Sequence, residues 1–191
     1  MCGACSGGAY DWAGPLVSGP IRRASIARFL NRSCPGITVK TFPQGWTIAT
    51  RTGASKTAKA FNDLLEAAAP HSSVRTWAEF DELLLATSSS THPEEFDEYQ
   101  PRPADKALDA QTVLTGSSLA AAHLRLTAFG LGIRTFDPGP VAVNVEHRQA
   151  PFRLLALSGQ VLGSTEISTL AHHSVPATLH QQPRTLPDME T

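Results

Sequence analysis

The order of hydrophobic and polar residues predicts helices and a β-hairpin in the first half of the chain. Apolar residues recur at helical spacing in IRRASIARFLNR, and this helix must end by Pro35-Gly36. ITVKTF and WTIAT then alternate at period two on either side of PQG, so we expect a β-hairpin over residues 37–50. Two more helices are predicted, one opening at Ser55 in SKTAKAFNDLLEAAAP and one at Thr76.

The helix predicted at Thr76 carries a recognisable N-terminal signal. Thr76 and Glu79 are three residues apart, which is the spacing of a capping box. In that motif the hydroxyl and the carboxylate accept hydrogen bonds from backbone amides that lack a partner at the start of the helix. Leu83 and Leu84 would complete the apolar face of the same helix.

The second half again places helices before strands. ALDAQTVL and SSLAAAHLRLTAF have helical patterns and are separated by Gly116. GIRTF, VAVNVEH, FRLLALS and QVLGS are short segments with strand character. Ser158-Gly159 predicts a tight turn between the last two strands.

A short internal similarity suggests a duplication. Residues 36–45 match residues 130–139 at a constant offset of 94 positions. The match predicts a second hairpin over residues 133–147, equivalent to the first, with Phe42 and Phe136 at corresponding core positions.

These elements predict an α+β fold of two small helix–hairpin modules. The modules span residues 18–85 and 107–171. Residues 1–17 are predicted to form a Gly/Cys-rich arm, with Tyr10 and Trp12 as anchors on the core. Residues 86–106 form an acidic linker or mobile loop, and residues 172–191 are expected to be disordered.

Composition is typical of a soluble globular protein of modest size. Of the 191 residues, 41% are hydrophobic and 17% are charged, and no apolar run is long enough to span a membrane. The N-terminus lacks a basic segment followed by an apolar one, so we expect no secretory signal. Three cysteines, an odd and low number, then favour free thiols in a reducing cytoplasm.

Charge is unevenly distributed along the chain. Residues 1–77 hold nine basic and three acidic side chains, whereas residues 78–109 hold two basic and nine acidic ones. Either the acidic segment lies against the basic one, which we favour, or the basic part binds a nucleic acid or an acidic partner. Trp46 would supply stacking for such a site, and its phosphate-binding candidates are Arg28, Arg32, Arg51, Lys56 and Lys59.

Cys2 and Cys5 form a C-x-x-C pair close to the start of the chain. This spacing lets two thiolates converge on one tetrahedral metal ion or form a disulfide. Zinc or another soft metal would need further ligands, and Cys34 is the remaining cysteine. An inert tail is the competing interpretation.

A different chemistry becomes accessible if the initiator methionine is removed. The opening Met1-Cys2-Gly3 resembles that of class II glutamine amidotransferases, whose N-terminal cysteine attacks the glutamine amide. The resemblance implies that Cys2 is a nucleophile with its own α-amino group as base. The family's Asn-Gly oxyanion motif does not occur in this chain.

The sequence therefore predicts a small accessory or binding protein rather than an enzyme. It would dock to a protein partner, with Cys2 and Cys5 engaging a soft metal or acting in redox chemistry. A nucleic-acid-binding module and an N-terminal-cysteine amidohydrolase remain alternatives.

Overall fold

The computed structural model describes residues 12–87, 109–136, 139–147 and 150–166. Its helices are α1 (Gly14–Val17), α2 (Pro20–Ser33), α3 (Phe61–Ala68), α4 (Trp77–Thr87) and α5 (Ala122–Thr135). Its strands are β1 (Ile37–Phe42), β2 (Gly45–Thr50), β3 (Ser55–Ala58), β4 (Gln111–Val113), β5 (Val141–His147), β6 (Ala150–Leu157) and β7 (Gln160–Glu166). The strands form a three-stranded and a four-stranded sheet, so the predicted α+β class is confirmed.

The first sheet has the order β1-β2-β3 and is antiparallel throughout. Helix α2 begins with Pro20, a residue that tolerates the first helical turn because no amide is needed there, and it packs on β1. The Asn31 side chain accepts a hydrogen bond from the Val39 amide at 2.7 Å and donates one to the Val39 carbonyl at 3.0 Å. These bonds occupy part of an edge strand that would otherwise present free backbone groups.

The helix predicted to open at Ser55 was placed too early. Residues Ser55–Ala58 form β3, and helix α3 begins at Phe61. The Thr50 amide donates to the Ala54 carbonyl at 2.8 Å, and Gly53 adopts a left-handed φ of 87° in this turn. The turn returns the chain alongside β2, and the resulting ladder outweighs the helical pattern of the segment.

The start of helix α4 confirms the capping signal, with one difference. The Glu79 amide donates to the Thr76 hydroxyl at 3.2 Å, as predicted. The Glu79 carboxylate instead accepts from the amide of Arg75 at 2.9 Å, one residue before the expected donor.

The second sheet has the order β4-β5-β6-β7 and contains one parallel pair. The helix predicted for ALDAQTVL is wrong at its end, because Gln111–Val113 is strand β4, paired with β5 from Gln111↔Val141 to Val113↔Val143. Helix α5 connects these two parallel strands. The predicted turn between β6 and β7 is confirmed, since Ser158 and Gly159 have φ values of 49° and 76°.

The proposed duplication is wrong, because GIRTF is helical rather than extended. Helix α5 continues to Thr135 and is followed by Phe136, whereas Phe42 ends strand β1. Gly132 lies within this helix, and the absence of a side chain there makes room for the indole of Trp77. A Cβ on Gly132 would lie 2.3 Å from that ring. Each half nevertheless contains a helix followed by an antiparallel hairpin, namely α2 with β1–β2 and α5 with β5–β6.

Side chains from both halves of the sequence share one cluster of buried residues. Helix α5 contributes the most side chains to it, six in number, and eleven of its fourteen residues are buried. Trp12 is buried, as predicted for an anchor, and Leu16 and Val17 of α1 join the same core. The rest of the predicted arm, residues 1–11, lies outside the described residues, as do residues 88–106 of the predicted linker and the whole predicted tail, residues 172–191. The predicted linker begins too early, because Ala86 and Thr87 still belong to α4.

Candidate ligand-binding cleft

A cleft of about 730 Å³ lies between α3, the C-terminal end of α5 and the β6–β7 turn. Its size falls within the range of about 300–1,000 Å³ that is typical of small-molecule sites. Polar and charged side chains provide much of its wall. The lining residues are Trp12, Asn62, Glu66, Ala69, Pro70, Arg75, Arg134, Thr135, Ser158, Gly159, Gln160 and Val161.

Arg134 is the most firmly positioned charged group of the cleft. One guanidinium nitrogen donates to the Gly130 carbonyl at 2.6 Å, and the other terminal nitrogen donates to Oδ1 of Asn62 at 2.5 Å. A guanidinium has five N–H donors, so these two bonds leave further donors for another acceptor. The side chain is thereby held in place by α3 and α5 while it lines the cleft.

The cleft contains two guanidinium groups and one carboxylate. Burial lowers the pKa of Arg134, and the nearby carboxylate of Glu66 opposes that shift. Arg75, the second cation, is exposed at the rim. The formal balance of Arg75, Arg134 and Glu66 is one positive charge, which favours an anionic occupant.

Helix geometry explains why α3 presents polar side chains to the cleft. Asn62 and Glu66 are four residues apart and therefore share one face of α3. Leu64, Leu65 and Ala68 are buried on other positions of the same helix. The periodicity that predicts the core face therefore leaves a polar stripe, but it does not show what lies opposite.

The β6–β7 turn closes the third side of the cleft. Both Ser158 and Gly159 have left-handed backbone conformations, which Gly adopts without a steric penalty. A Cβ on Gly159 would lie 3.4 Å from the carbonyl oxygen of Ile133, so the turn lies close to the end of α5. Gln160 follows this turn and lines the cleft.

Sequence reasoning did not find this cleft, and no motif marks it. The cleft combines three segments that are far apart in the chain: α3 with Asn62 and Glu66, α5 with Arg134, and β7 with Gln160. The turn at Ser158-Gly159 was predicted, but its position against α5 depends on the packing of the second sheet.

A separate polar network supports the connection between β4 and α5. The carboxylate of Asp81 accepts hydrogen bonds from the amides of Gly116 at 3.2 Å and Ser117 at 2.9 Å, and from the Ser117 hydroxyl at 2.5 Å. The buried guanidinium of Arg125 donates to the carbonyls of Leu114, at 2.9 Å, and Asn144. Because these hydrogen bonds connect α4, α5 and β5 with the segment between β4 and α5, we assign the network a structural role.

Cys34, the predicted third metal ligand, lies in the core. Its side chain is fully buried, and its Sγ lies 3.6 Å from Oγ of Ser33. Burial raises the pKa of the Cys34 thiol to about 11, although the contact with Ser33 acts in the opposite direction. The thiolate is the form that binds metals, so this environment disfavours a ligand role.

Cys2 and Cys5 lie outside the described residues, so their predicted zinc or soft-metal site remains a prediction. Within the part of the chain that the structure describes, no three histidine, cysteine or acidic side chains are grouped as metal ligands.

The predicted phosphate-binding residues come from two parts of the fold. Arg28 and Arg32 lie on α2, where they donate to the hydroxyls of Ser25 at 3.1 Å and Thr87 at 3.3 Å. Arg51, Lys56 and Lys59 belong to the β2–β3 region and are exposed. The stacking role predicted for Trp46 is wrong, because its ring is only 3% exposed and its Nε1 donates to the Arg23 carbonyl at 3.1 Å.

Comparison with known proteins finds no matching family model, curated protein or solved structure. Among the described residues, no helix combines the length and the apolar character needed to cross a membrane.

Proposed function

We propose that this protein binds a small anionic ligand in the cleft around Arg134. The observation that carries the proposal is the placement of this guanidinium: Gly130 and Asn62 hold it, while free donors remain at the wall of a ligand-sized cleft. A planar guanidinium matches the geometry of carboxylate and phosphate groups.

The other charged groups refine the ligand class. Arg75 adds a second cation at the rim, and Glu66 tempers the positive charge. A mono- or dicarboxylate, or a phosphate ester, meets these requirements.

Thermal unfolding in the presence of citrate and of inorganic phosphate tests this function. A ligand that binds only the folded state raises its stability by about 2.7 kcal/mol at 100 times the dissociation constant. We expect at least one of the two anions to raise the midpoint of unfolding in a saturable manner, whereas sodium chloride at equal ionic strength leaves it unchanged.

Three variants make the test specific to the cleft. Arg134→Gln and Arg75→Gln should weaken the effect of the anion, while Glu66→Gln should strengthen it because an opposing charge is removed. Arg28→Gln, which removes an exposed cation from α2, is the matched control and should behave like the wild type. An anion effect that persists in Arg134→Gln, or is equally reduced in Arg28→Gln, would show general screening instead of a site.

The accessory role predicted from the N-terminal cysteines is a separate proposal. Docking to a protein partner, engagement of zinc or another soft metal through Cys2 and Cys5, and a cytoplasmic location all rest on sequence alone. Metal analysis of protein purified without chelator, with Cys2→Ser/Cys5→Ser as the comparison, tests the metal independently of the cleft.

A further inference from the structure

The first sheet has one covered face and one open face. Along β1, Ile37 and Val39 point into the core, so Thr38, Lys40 and Phe42 lie on the opposite face. The strand register shows which residues of β2 and β3 share this face. The rows that cross the sheet from β1 to β3 are Thr38–Ala49–Ser55 and Lys40–Thr47–Thr57, and Phe42 lies beside Gly45 of β2. Helices α2 and α3 pack against the other side.

Side chains on the open face are small, hydroxylated or basic. Thr38, Lys40, Ser55 and Thr57 are exposed, and Lys59 is exposed directly after β3. A Cβ on Gly45 would lie 3.1 Å from the Cα of Lys59, which places the two side by side at the end of the sheet. Lys40 lies on the edge strand β1 and Lys59 follows the other edge strand, β3, so the two lysines belong to opposite edges of the sheet.

Within the first sheet, its loops and helix α2, every charged side chain is positive. From residue 12 to residue 62 the chain contains eight lysines and arginines and no aspartate or glutamate. Lys40 and Lys59 are therefore not neutralised by any carboxylate within the sheet or its loops. A polyanion is the partner that such a surface complements.

An apolar groove lies at the edge of the sheet, between the β1–β2 turn and the start of helix α2. It has a volume of about 420 Å³ and is lined by Pro20, Arg23, Thr41, Phe42 and Pro43. Phe42 is half-buried, so part of its ring remains accessible at the edge of the sheet. An aromatic ring beside a guanidinium group suits an unpaired nucleobase, which stacks on one and contacts the other.

We infer that the open face of the first sheet binds single-stranded nucleic acid. Lys40 and Lys59 would contact phosphates across the three strands, the threonine and serine hydroxyls would donate to backbone oxygens, and the Phe42 groove would take a base. A flat sheet with exposed basic and aromatic side chains is a surface on which unpaired strands bind. An acidic peptide would use the lysines but not the base-sized groove.

The register supplies a matched control for the test. Lys56 is on β3 and pairs with Ile48, so it belongs to the covered side of the sheet, opposite to Lys40 and Thr57. Lys40→Ala and Lys59→Ala thus remove charges from the open face, while Lys56→Ala removes the same charge from the same sheet on its other side.

Fluorescence anisotropy of labelled oligouridylate and oligothymidylate, each of about 12 nucleotides, measures binding over a range of salt concentrations. We expect Lys40→Ala and Lys59→Ala each to reduce the slope of log affinity against log salt by about 0.7, the value for one phosphate contact on a single strand. Lys56→Ala should retain the wild-type slope. Phe42→Leu should weaken binding about tenfold by removing the stacking ring while keeping an apolar side chain.

Two results would overturn the inference. The first is an equal loss of binding in Lys56→Ala and Lys59→Ala, which would indicate attraction by net charge alone. The second is binding of polyglutamate as tight as that of the oligonucleotides, which would indicate an acidic protein partner. Both outcomes are independent of the cleft around Arg134, because citrate binding there does not involve this face.

Discussion

Helices α2 and α5 have the same length but opposite positions in the fold. Each contains fourteen residues, yet five are buried in α2 and eleven in α5. Helix α2 covers the edge of the first sheet, whereas α5 contacts helices α1 to α4 as well as β5 and β7. The difference shows that the same secondary structure is here a covering layer in one place and the centre of the core in another.

The two positions impose different demands on polar residues. Arg28 of α2 lies in solvent, and its partner is the hydroxyl of Ser25. Arg125 of α5 is 5% exposed and donates to two backbone carbonyl groups, while burial lowers its pKa and Asp81 opposes the shift. Burying a charged side chain is costly unless hydrogen bonds replace its contacts with water, and here both terminal nitrogens of Arg125 have acceptors although its Nε has none among the described residues.

The largest difference in stability between variants of α5 and α2 is expected when apolar side chains are truncated. Phe129→Ala in α5 removes a fully buried ring that stacks on Trp77 at a centroid distance of 6.2 Å, so we expect it to cost about 3–5 kcal/mol. Ile21→Ala in α2 truncates a side chain that is 66% exposed and should change stability by at most about 0.5 kcal/mol. Urea unfolding measures both, and equal losses would contradict the central position of α5.

A smaller difference in stability is expected when Arg125 of α5 and Arg28 of α2 are each replaced. Arg125→Met should cost about 2 kcal/mol, because the carbonyl groups of Leu114 and Asn144 lose their donors inside the protein. Arg28→Met removes an exposed cation and should stay within about 0.5 kcal/mol. If chemical denaturation finds Arg125→Met as stable as the wild type, the buried hydrogen bonds of Arg125 make no net contribution.

The smallest effect concerns Cys34 at the buried end of α2. Its folded-state pKa of about 11 lies above the ordinary value of 9.0, so the unfolded chain loses this proton first as the pH rises. The buried neutral thiol of Cys34 therefore stabilises the folded state fully below pH 9, and this contribution is lost as the pH rises towards 11. We expect the wild type to lose about 1 kcal/mol more than Cys34→Ala between pH 8 and pH 10.

Unfolding curves of both proteins at the two pH values measure this difference. Labelling provides a second readout: iodoacetamide should modify Cys34 only after denaturant is added, which peptide mass analysis detects. Rapid labelling of Cys34 in the native protein at neutral pH would show that the thiol is accessible, and it would reopen a ligand role for this residue.

Features that depend on neighbours in the chain were predicted well. Helix α2, the hairpin of β1 and β2, the cap at Thr76 and the turn at Ser158-Gly159 are all present. Each is specified by side chains within a few residues of one another, through periodicity, capping or turn conformation. The alternation in ITVKTF also separates the faces of β1, which places Lys40 away from the core.

Features that depend on distant partners were not predicted. Strands β3 and β4 exist because β2 and β5 offer them a ladder, and their own residues favour a helix only weakly. The last turn of α5 resembles a strand sequence, but Trp77 and Phe136 pack there at a centroid distance of 5.2 Å, in space left by Gly132. Such packing outweighs the local preference of GIRTF.

The sequence by itself determined the α+β class, the local helices and turns, and the concentration of positive charge in the first half. Only the tertiary structure decided that α5 is central, that Lys40 and Lys56 belong to opposite sides of one sheet, and that Arg134 meets Asn62 in a cleft. The physical reason is the distance along the chain over which each kind of interaction acts. Capping, turns and periodicity are short-range interactions written in adjacent residues, whereas a cleft or a binding face is formed by residues that long-range packing brings together.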